Sequence, residues 1–246
     1  MKKFVVANFK MNTTLTEFGA YLDEFLPRVK DCKSNIILCI PATHFHVANQ
    51  RLSATSIKFG AQNISSEESG AHTGEISSLM VKDCGAFCTL VGHSEVRKKF
   101  KESFETINQK IIRALAVNLK VILCIGETKY ERINKKTQQV LRRQLEVALK
   151  GLYENELKNV IIAYEPIWAI GSGKTPSVKD VEIAANDIRN IIADNFTSRS
   201  AEKINILYGG SINENNCSVF SKIRGINGLL VGGACLNPKS FANICK

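Results

Sequence analysis

The stretch Val160-Ile-Ile-Ala-Tyr-Glu-Pro-Ile-Trp-Ala-Ile-Gly-Ser-Gly-Lys174 decides how the rest of the chain is read. Its first four residues form an apolar, β-branched run too short for a helix, which reads as a buried strand. Glu165 then sits at the C-terminal lip of that strand, because Pro166 cannot donate to a ladder and ends it. Trp168, the only tryptophan in the chain, follows with Ile170 and the Gly171-Ser172-Gly173 turn. An apolar patch ending in glycines suits a flap that closes and excludes water. A helix is expected to open at Ser177, whose spacing to Asp180 matches a capping box. A lone loop glutamate is usually just solvated, but a carboxylate at a strand end beneath an apolar cover has the ingredients of a general base.

The same strand–loop–helix unit recurs along the chain. Strand-like runs occur at residues 4–9, 36–40, 57–61, 89–92, 120–125, 160–164, 204–208 and 228–231. Most intervals between them show helical periodicity. In the first, Leu15, Phe18, Leu22, Phe25 and Val29 share a face behind the capping box Thr14-x-x-Glu17, and Pro27 is expected to kink or end the helix. A long amphipathic region is expected between Tyr130 and Leu157, and a last helix opening at Asn237-Pro238. Eight strands alternating with helices indicate a parallel sheet covered by helices. At 246 residues the best fit is α/β, a closed (β/α)8 barrel forming a single domain over residues 1–246. A doubly wound open sheet competes, weakened because no Gly-x-Gly-x-x-Gly follows the first strand.

Composition narrows the function. No run approaches the roughly 18 apolar residues of a membrane span, and the basic start Met1-Lys2-Lys3 lacks the apolar length of a signal peptide. A formal net charge of +10 raises nucleic acid as a partner. The lysines and arginines are dispersed without interleaved aromatics, however, and read as solvated helix faces. Neither a nucleic acid nor a membrane partner is expected. The eight cysteines show no short, dense spacing, so reduced thiols and a cytoplasmic location fit better than a disulfide framework. Cys84-x-x-x-Cys88 lacks a second ligand pair for zinc, and no other cluster has metal-ligand spacing, so no metal or other cofactor is expected.

In a barrel the chemistry sits where strands end. The ends supply Asn8 and Lys10, then Gly92-His93-Ser94-Glu95, Gly126-Glu127-Thr128, Glu165, Gly209-Gly210-Ser211, and Gly232-Gly233. Glycine lets backbone N–H groups approach an anion, and a short helix after the eighth strand would add its positive end. Each pair alone is as well explained by a tight turn; on adjacent strands they favour phosphate binding. Asn8 and Lys10 alternate onto one side, which favours a lysine pointing inward rather than along the surface. His93 alone reads as structural, but beside a base and a cation it becomes a candidate proton shuttle. The set suits proton abstraction next to a carbonyl in a phosphorylated sugar, through an enediolate.

Asn8-x-Lys10, Gly92-His93-Ser94-Glu95, the segment Ala163–Lys174, Tyr208-Gly-Gly-Ser211 and Gly232-Gly-Ala234 resemble the signatures of the triosephosphate isomerase family, in the family's order and from Phe4 to the last helix. That family is itself the usual illustration of a glutamate base paired with a neutral histidine under a closing loop. The resemblance implies that Glu165 moves the carbon-bound proton, His93 polarises the carbonyl, Lys10 supplies positive charge and Asn8 orients the substrate. It further implies a phosphate site formed by Gly171, Ser211, Gly232 and Gly233, and a supporting role for Glu95 beside Lys10. The substrate is then a small phosphorylated triose. The polar stretch from Gln62 through Thr73, Gly74 and Glu75, which on its residues alone reads as an exposed loop, becomes the loop that enters the partner subunit of a homodimer.

Three positions depart from the pattern. Val96 stands where the family usually has an arginine, a planar donor that valine cannot replace, and an effect on packing around the third loop is expected. Phe9 replaces a usual tryptophan. Cys235 replaces a common serine and would be sensitive to oxidation if exposed.

Overall fold

Eight strands carry the architecture: β1 (Phe4–Asn8), β2 (Asn35–Ile40), β3 (Lys58–Ala61), β4 (Cys88–Val91), β5 (Lys120–Ile125), β6 (Val160–Tyr164), β7 (Asn205–Tyr208) and β8 (Gly228–Val231). The computed structural model describes residues 3–169 and 175–246. Neighbouring strands pair in parallel and in chain order, and β1 pairs with β8, from Phe4 opposite Gly228 to Ala7 opposite Val231. The sheet is therefore a closed barrel. The expected runs are displaced by a residue at several ends: Phe9, Ile57, Gly92 and Ile204 flank their strands, and Cys88 joins β4.

Strand alternation builds two cores. In β6, Ile161 and Ala163 join Val6, Ile37, Leu90 and Ile122 inside the barrel, whereas Val160, Ile162 and Tyr164 pack outward among helix residues such as Leu145 and Ile188. This is why the strands read as continuous apolar runs: both faces are covered. An inward residue one step beyond the last lumen position necessarily lies at the barrel mouth, and that step places the functional side chains.

The helices begin where their capping residues stand. Thr14 and Glu17 bond reciprocally ahead of the helix Leu15–Arg28, and Ser177 and Asp180 do so ahead of Val178–Asn195. Pro27 falls in the last turn of its helix. Asn237 accepts the Lys239 and Ser240 N–H groups ahead of Pro238–Cys245.

The long amphipathic region is broken. It forms a short helix Lys129–Ile133, a second helix Thr137–Ala148, and a 3-10 turn at Glu154–Asn159. Lys135 adopts the left-handed region, φ 56°, which an α-helix cannot continue through. Periodicity registers the shared apolar face on both sides of that break, not the break itself.

Candidate active site

The alternation that places Val6 in the lumen continues to Asn8, buried at the mouth, and then to Lys10. Lys10 holds a left-handed backbone, φ 54°, which an ordinary side chain adopts only when its surroundings enforce it. Three contacts do so. Its N–H donates to Asn8 Oδ1 at 3.0 Å, its carbonyl accepts from Gln62 Nε2 at 2.8 Å, and its ammonium reaches Glu95 Oε1 at 2.6 Å. Gln62, expected in the partner-contacting loop, thus ties the base of that loop to the lysine. Burial opposes the Glu95 charge, but the hydrogen bond and charge of Lys10 outweigh it and hold the carboxyl below its ordinary value.

His93 caps the helix Ser94–Phe100, and its Nδ1 accepts the Glu95 backbone N–H at 3.3 Å. A nitrogen that accepts a backbone N–H carries a lone pair, so the ring proton sits on Nε2. That Nε2 lies 3.5 Å from Glu165 Oε1, with both side chains almost fully buried.

Glu165 extends the β6 alternation of Ile161 and Ala163 by one step. Its backbone N–H donates to Ile125 O at 2.7 Å. Its Oε2 is buried without a hydrogen-bond partner among the described residues, which leaves a carboxylate oxygen free to take a proton. Inside the barrel, burial and then the nearby Glu165 charge push the Cys124 thiol well up, so it stays protonated. Asn8, Lys10, His93 and Glu165 line one cavity of about 290 Å³ with Gly209, Gly210, Ser211, Gly232 and Gly233. The sequence-derived set therefore converges, apart from Gly171, which lies outside the described residues together with most of the expected flap.

The glycine pairs divide in purpose. A Cβ on Gly209 would lie 2.8 Å from Glu165 Cγ, and one on Gly210 would lie 1.9 Å from the Tyr208 hydroxyl. The first pair is therefore demanded by packing around the carboxylate and Tyr208. By contrast, a Cβ on Gly233 would meet nothing within 4 Å, so there the backbone alone faces the cavity, followed at once by the 3-10 turn Gly233–Leu236. Ser211 Oγ donates to Ala169 O at 2.6 Å, linking this loop to the segment after Glu165.

Glu127 received no role from the sequence, yet it is a hub. Its carboxylate accepts Trp168 Nε1 at 2.9 Å and the Tyr164 hydroxyl at 3.1 Å, and its carbonyl accepts the Ile167 N–H at 3.0 Å. Burial pushes its carboxyl above the ordinary value against those hydrogen bonds. Arg97 likewise has no role legible along the chain; its Nε donates to Gly92 O at 2.9 Å, just before His93, and its guanidinium lies over the Phe104 ring. Only position relative to Trp168 and His93 identifies either residue, and sequence spacing does not carry that information.

The departures resolve as follows. Val96 lines a cavity of about 560 Å³ between the third loop and the helix Ser94–Phe100, bordered by Glu75 and Glu102, so packing near that loop is open where it was expected to change. Cys235 is fully buried, and burial pushes its thiol up to about 12, which removes the condition for oxidation. Phe9 is fully buried, edge-on to Phe18 and Tyr21.

Residues 3–246 match the family model described as triosephosphate isomerase. The chain is 42% identical over 246 residues to the triosephosphate isomerase of Dictyoglomus thermophilum, covering 100% of this chain and 99% of that one. It is 43% identical over 245 residues to that of Aquifex aeolicus, covering 99% and 98%. A crystal structure of triosephosphate isomerase from Bartonella henselae superposes with a TM-score of 0.89 at 34% identity, covering 100% of this chain and 98% of that chain.

Proposed function

Since the chain belongs to the triosephosphate isomerase family, we propose that its proton-transfer machinery consists of Glu165, His93 and Lys10, acting within one catalytic domain spanning residues 1–246. The enzyme is an aldose–ketose isomerase that interconverts D-glyceraldehyde 3-phosphate and dihydroxyacetone phosphate, a step of glycolysis. One observation carries the assignment of roles: a buried carboxylate with a free oxygen faces the Nε2–H of a histidine across a mouth that also holds a lysine.

The chemistry balances on these groups alone. The free carboxylate oxygen of Glu165 takes the proton from the carbon next to the carbonyl, and the C–H electron pair forms the carbon–carbon double bond of an enediolate. The oxygen that gains charge receives the His93 Nε2–H hydrogen bond, and Lys10 adds a fixed positive charge beside it. Glu165 returns the proton to the neighbouring carbon after a proton has moved between the two oxygens, which completes the exchange of aldehyde and ketone. No electrons leave the substrate, so the relay calls for no redox partner. Ser211, Gly232 and Gly233, together with Gly171, hold the phosphate, and Asn8, whose Oδ1 also accepts the Lys10 backbone N–H, orients the substrate.

We also assign a homodimer in the cytoplasm. Met11 is 93% exposed, and Leu79 and Met80 are each 57% exposed. Leu79 and Met80 follow the exposed loop that carries Thr73 and Gly74, Met11 follows Lys10, to which Gln62 ties the base of that loop, and a second copy covering them would remove this apolar surface from water. Glu165→Gln tests the catalytic reading. Turnover of glyceraldehyde 3-phosphate should fall about 10²- to 10⁴-fold with an unchanged thermal unfolding profile. Full turnover by that variant would remove Glu165 from the role of base. Preferential turnover of a larger phosphosugar by the natural chain would instead favour another isomerase or epimerase on the same barrel.

A further inference from the structure

The fold gathers charges that look scattered along the chain. Every segment that leads from an outer helix into a strand ends at the N-terminal end of the barrel, because all eight strands are parallel. Together with Lys3 ahead of β1, running through the short helix Ser198–Lys203 and the 3-10 turn Glu154–Asn159, and counting each strand's first residue, these segments hold eleven lysines and arginines against four acidic residues, Asp31, Glu154, Glu156 and Glu202. At the opposite end, the described segments that leave the strands, followed through their short helices in the same way, hold nine lysines and arginines against nine glutamates. The strand starts thus carry a net positive charge while the mouth is balanced.

Three features make this end more than an ordinary solvated surface. First, among the described residues none of the eleven cations has a carboxylate within 4.0 Å, so no ion pair neutralises the ring locally, as the pairs of Arg51 and Arg142 do on the barrel's side. Second, two of the four acids are already engaged: Glu154 accepts the Thr197 and Ser200 hydroxyls, and Glu156 accepts the Tyr153 N–H. Third, ten of the eleven are exposed, Lys120 alone being half-buried, and they precede seven of the eight strands, so they form a ring rather than a stripe.

We propose that the N-terminal end of the barrel is a peripheral docking surface for an anionic lipid bilayer. A ring of like charges on the end of a cylinder is engaged all at once by a plane, while a nucleic-acid duplex would meet only a stripe of it. Nine of the eleven are lysines, compact point charges suited to screened attraction rather than the bidentate reading of phosphates and bases that arginine performs. Docked this way, the catalytic mouth at the other end faces solvent and stays open to substrate. Such an attraction needs no spanning helix; none of the described helices is long and apolar enough to cross a membrane.

The test is co-sedimentation of the full chain with vesicles of phosphatidylcholine alone or mixed with phosphatidylserine, at low and physiological salt. Binding should require phosphatidylserine and weaken with salt. Loss of a single ring charge should weaken it about five-fold. Reversing Lys58, Lys158, Lys203 and Arg224 to glutamate together should abolish binding, with isomerase turnover and thermal stability unchanged. Reversing Lys98, Lys129, Lys135 and Lys179, which lie outside the ring, should leave most of the binding intact. The proposal is overturned if the natural chain ignores anionic vesicles, if both quadruple variants lose binding equally, or if duplex DNA or RNA binds the ring while vesicles do not.

Discussion

Gly209→Ala converts the packing around Glu165 into a measurable rate. The glycine lies after β7, outside the positive-φ glycines, so alanine meets no backbone penalty there and acts only through its methyl group. That methyl would sit 2.8 Å from Glu165 Cγ and 3.2 Å from Oε1, where ordinary contact begins at 3.4 Å. The carboxylate must therefore retreat by about 0.6 Å, and displacements near 1 Å cost on the order of 100-fold in proton transfer. We expect kcat to fall about 10- to 100-fold, equivalent to about 1.4–2.7 kcal/mol in the barrier, with little change in KM. Steady-state turnover measured with substrate deuterated at the transferred position supplies the check, because a primary isotope effect should grow as proton transfer becomes limiting. Gly19→Ala is the matched control. It lies inside the helix Leu15–Arg28 with nothing within 4 Å of the added methyl, so it should leave kcat alone and raise stability by about 0.5–1 kcal/mol. A folded Gly209→Ala enzyme with the natural kcat and isotope effect would refute the idea that this glycine positions the base.

Three further outcomes follow from buried charge and burial itself. Lys110 and Glu102 form an ion pair with side chains only 8% and 5% exposed, so Lys110→Met should cost about 3–5 kcal/mol in urea unfolding by stranding the glutamate, and adding Glu102→Leu should recover most of it; equal loss in the double variant would contradict this. Burial raises the Glu127 carboxyl above 4.5, so the native state holds that proton longer than the unfolded chain and stability declines as pH rises from 4.5 through the native value. Relative to Glu127→Gln, the natural chain should therefore lose thermal stability over that window, and a constant difference across it would reject the shift. Finally, a thiol reagent at neutral pH should label exposed Cys84 in the native protein and leave Cys235 and Cys124 unmodified until unfolding; rapid native labelling of Cys235 would mean its burial is wrong.

Much of this protein is legible along the chain because its determinants are local. A β-branched run such as Val160–Ala163 is a strand whatever surrounds it, Thr14 and Ser177 begin helices by bonding residues three positions on, and eight repeats of the unit leave few folds other than a barrel. Pro166 marks the end of β6, and therefore where Glu165 stands. What the chain could not show by itself depends on distances between residues far apart in sequence. The glycine pair at 209 and 210 reads as an anion cradle until Glu165 and Tyr208 are seen to occupy the space of the missing side chains. Glu127 is one more loop carboxylate until Trp168 and Tyr164 converge on it. The scattered lysines become a ring only because parallel closure brings the beginning of every strand to one end. Local sequence specifies conformation through bonds spanning a few residues, whereas burial, charge density and excluded volume are summed over neighbours that only barrel closure brings together.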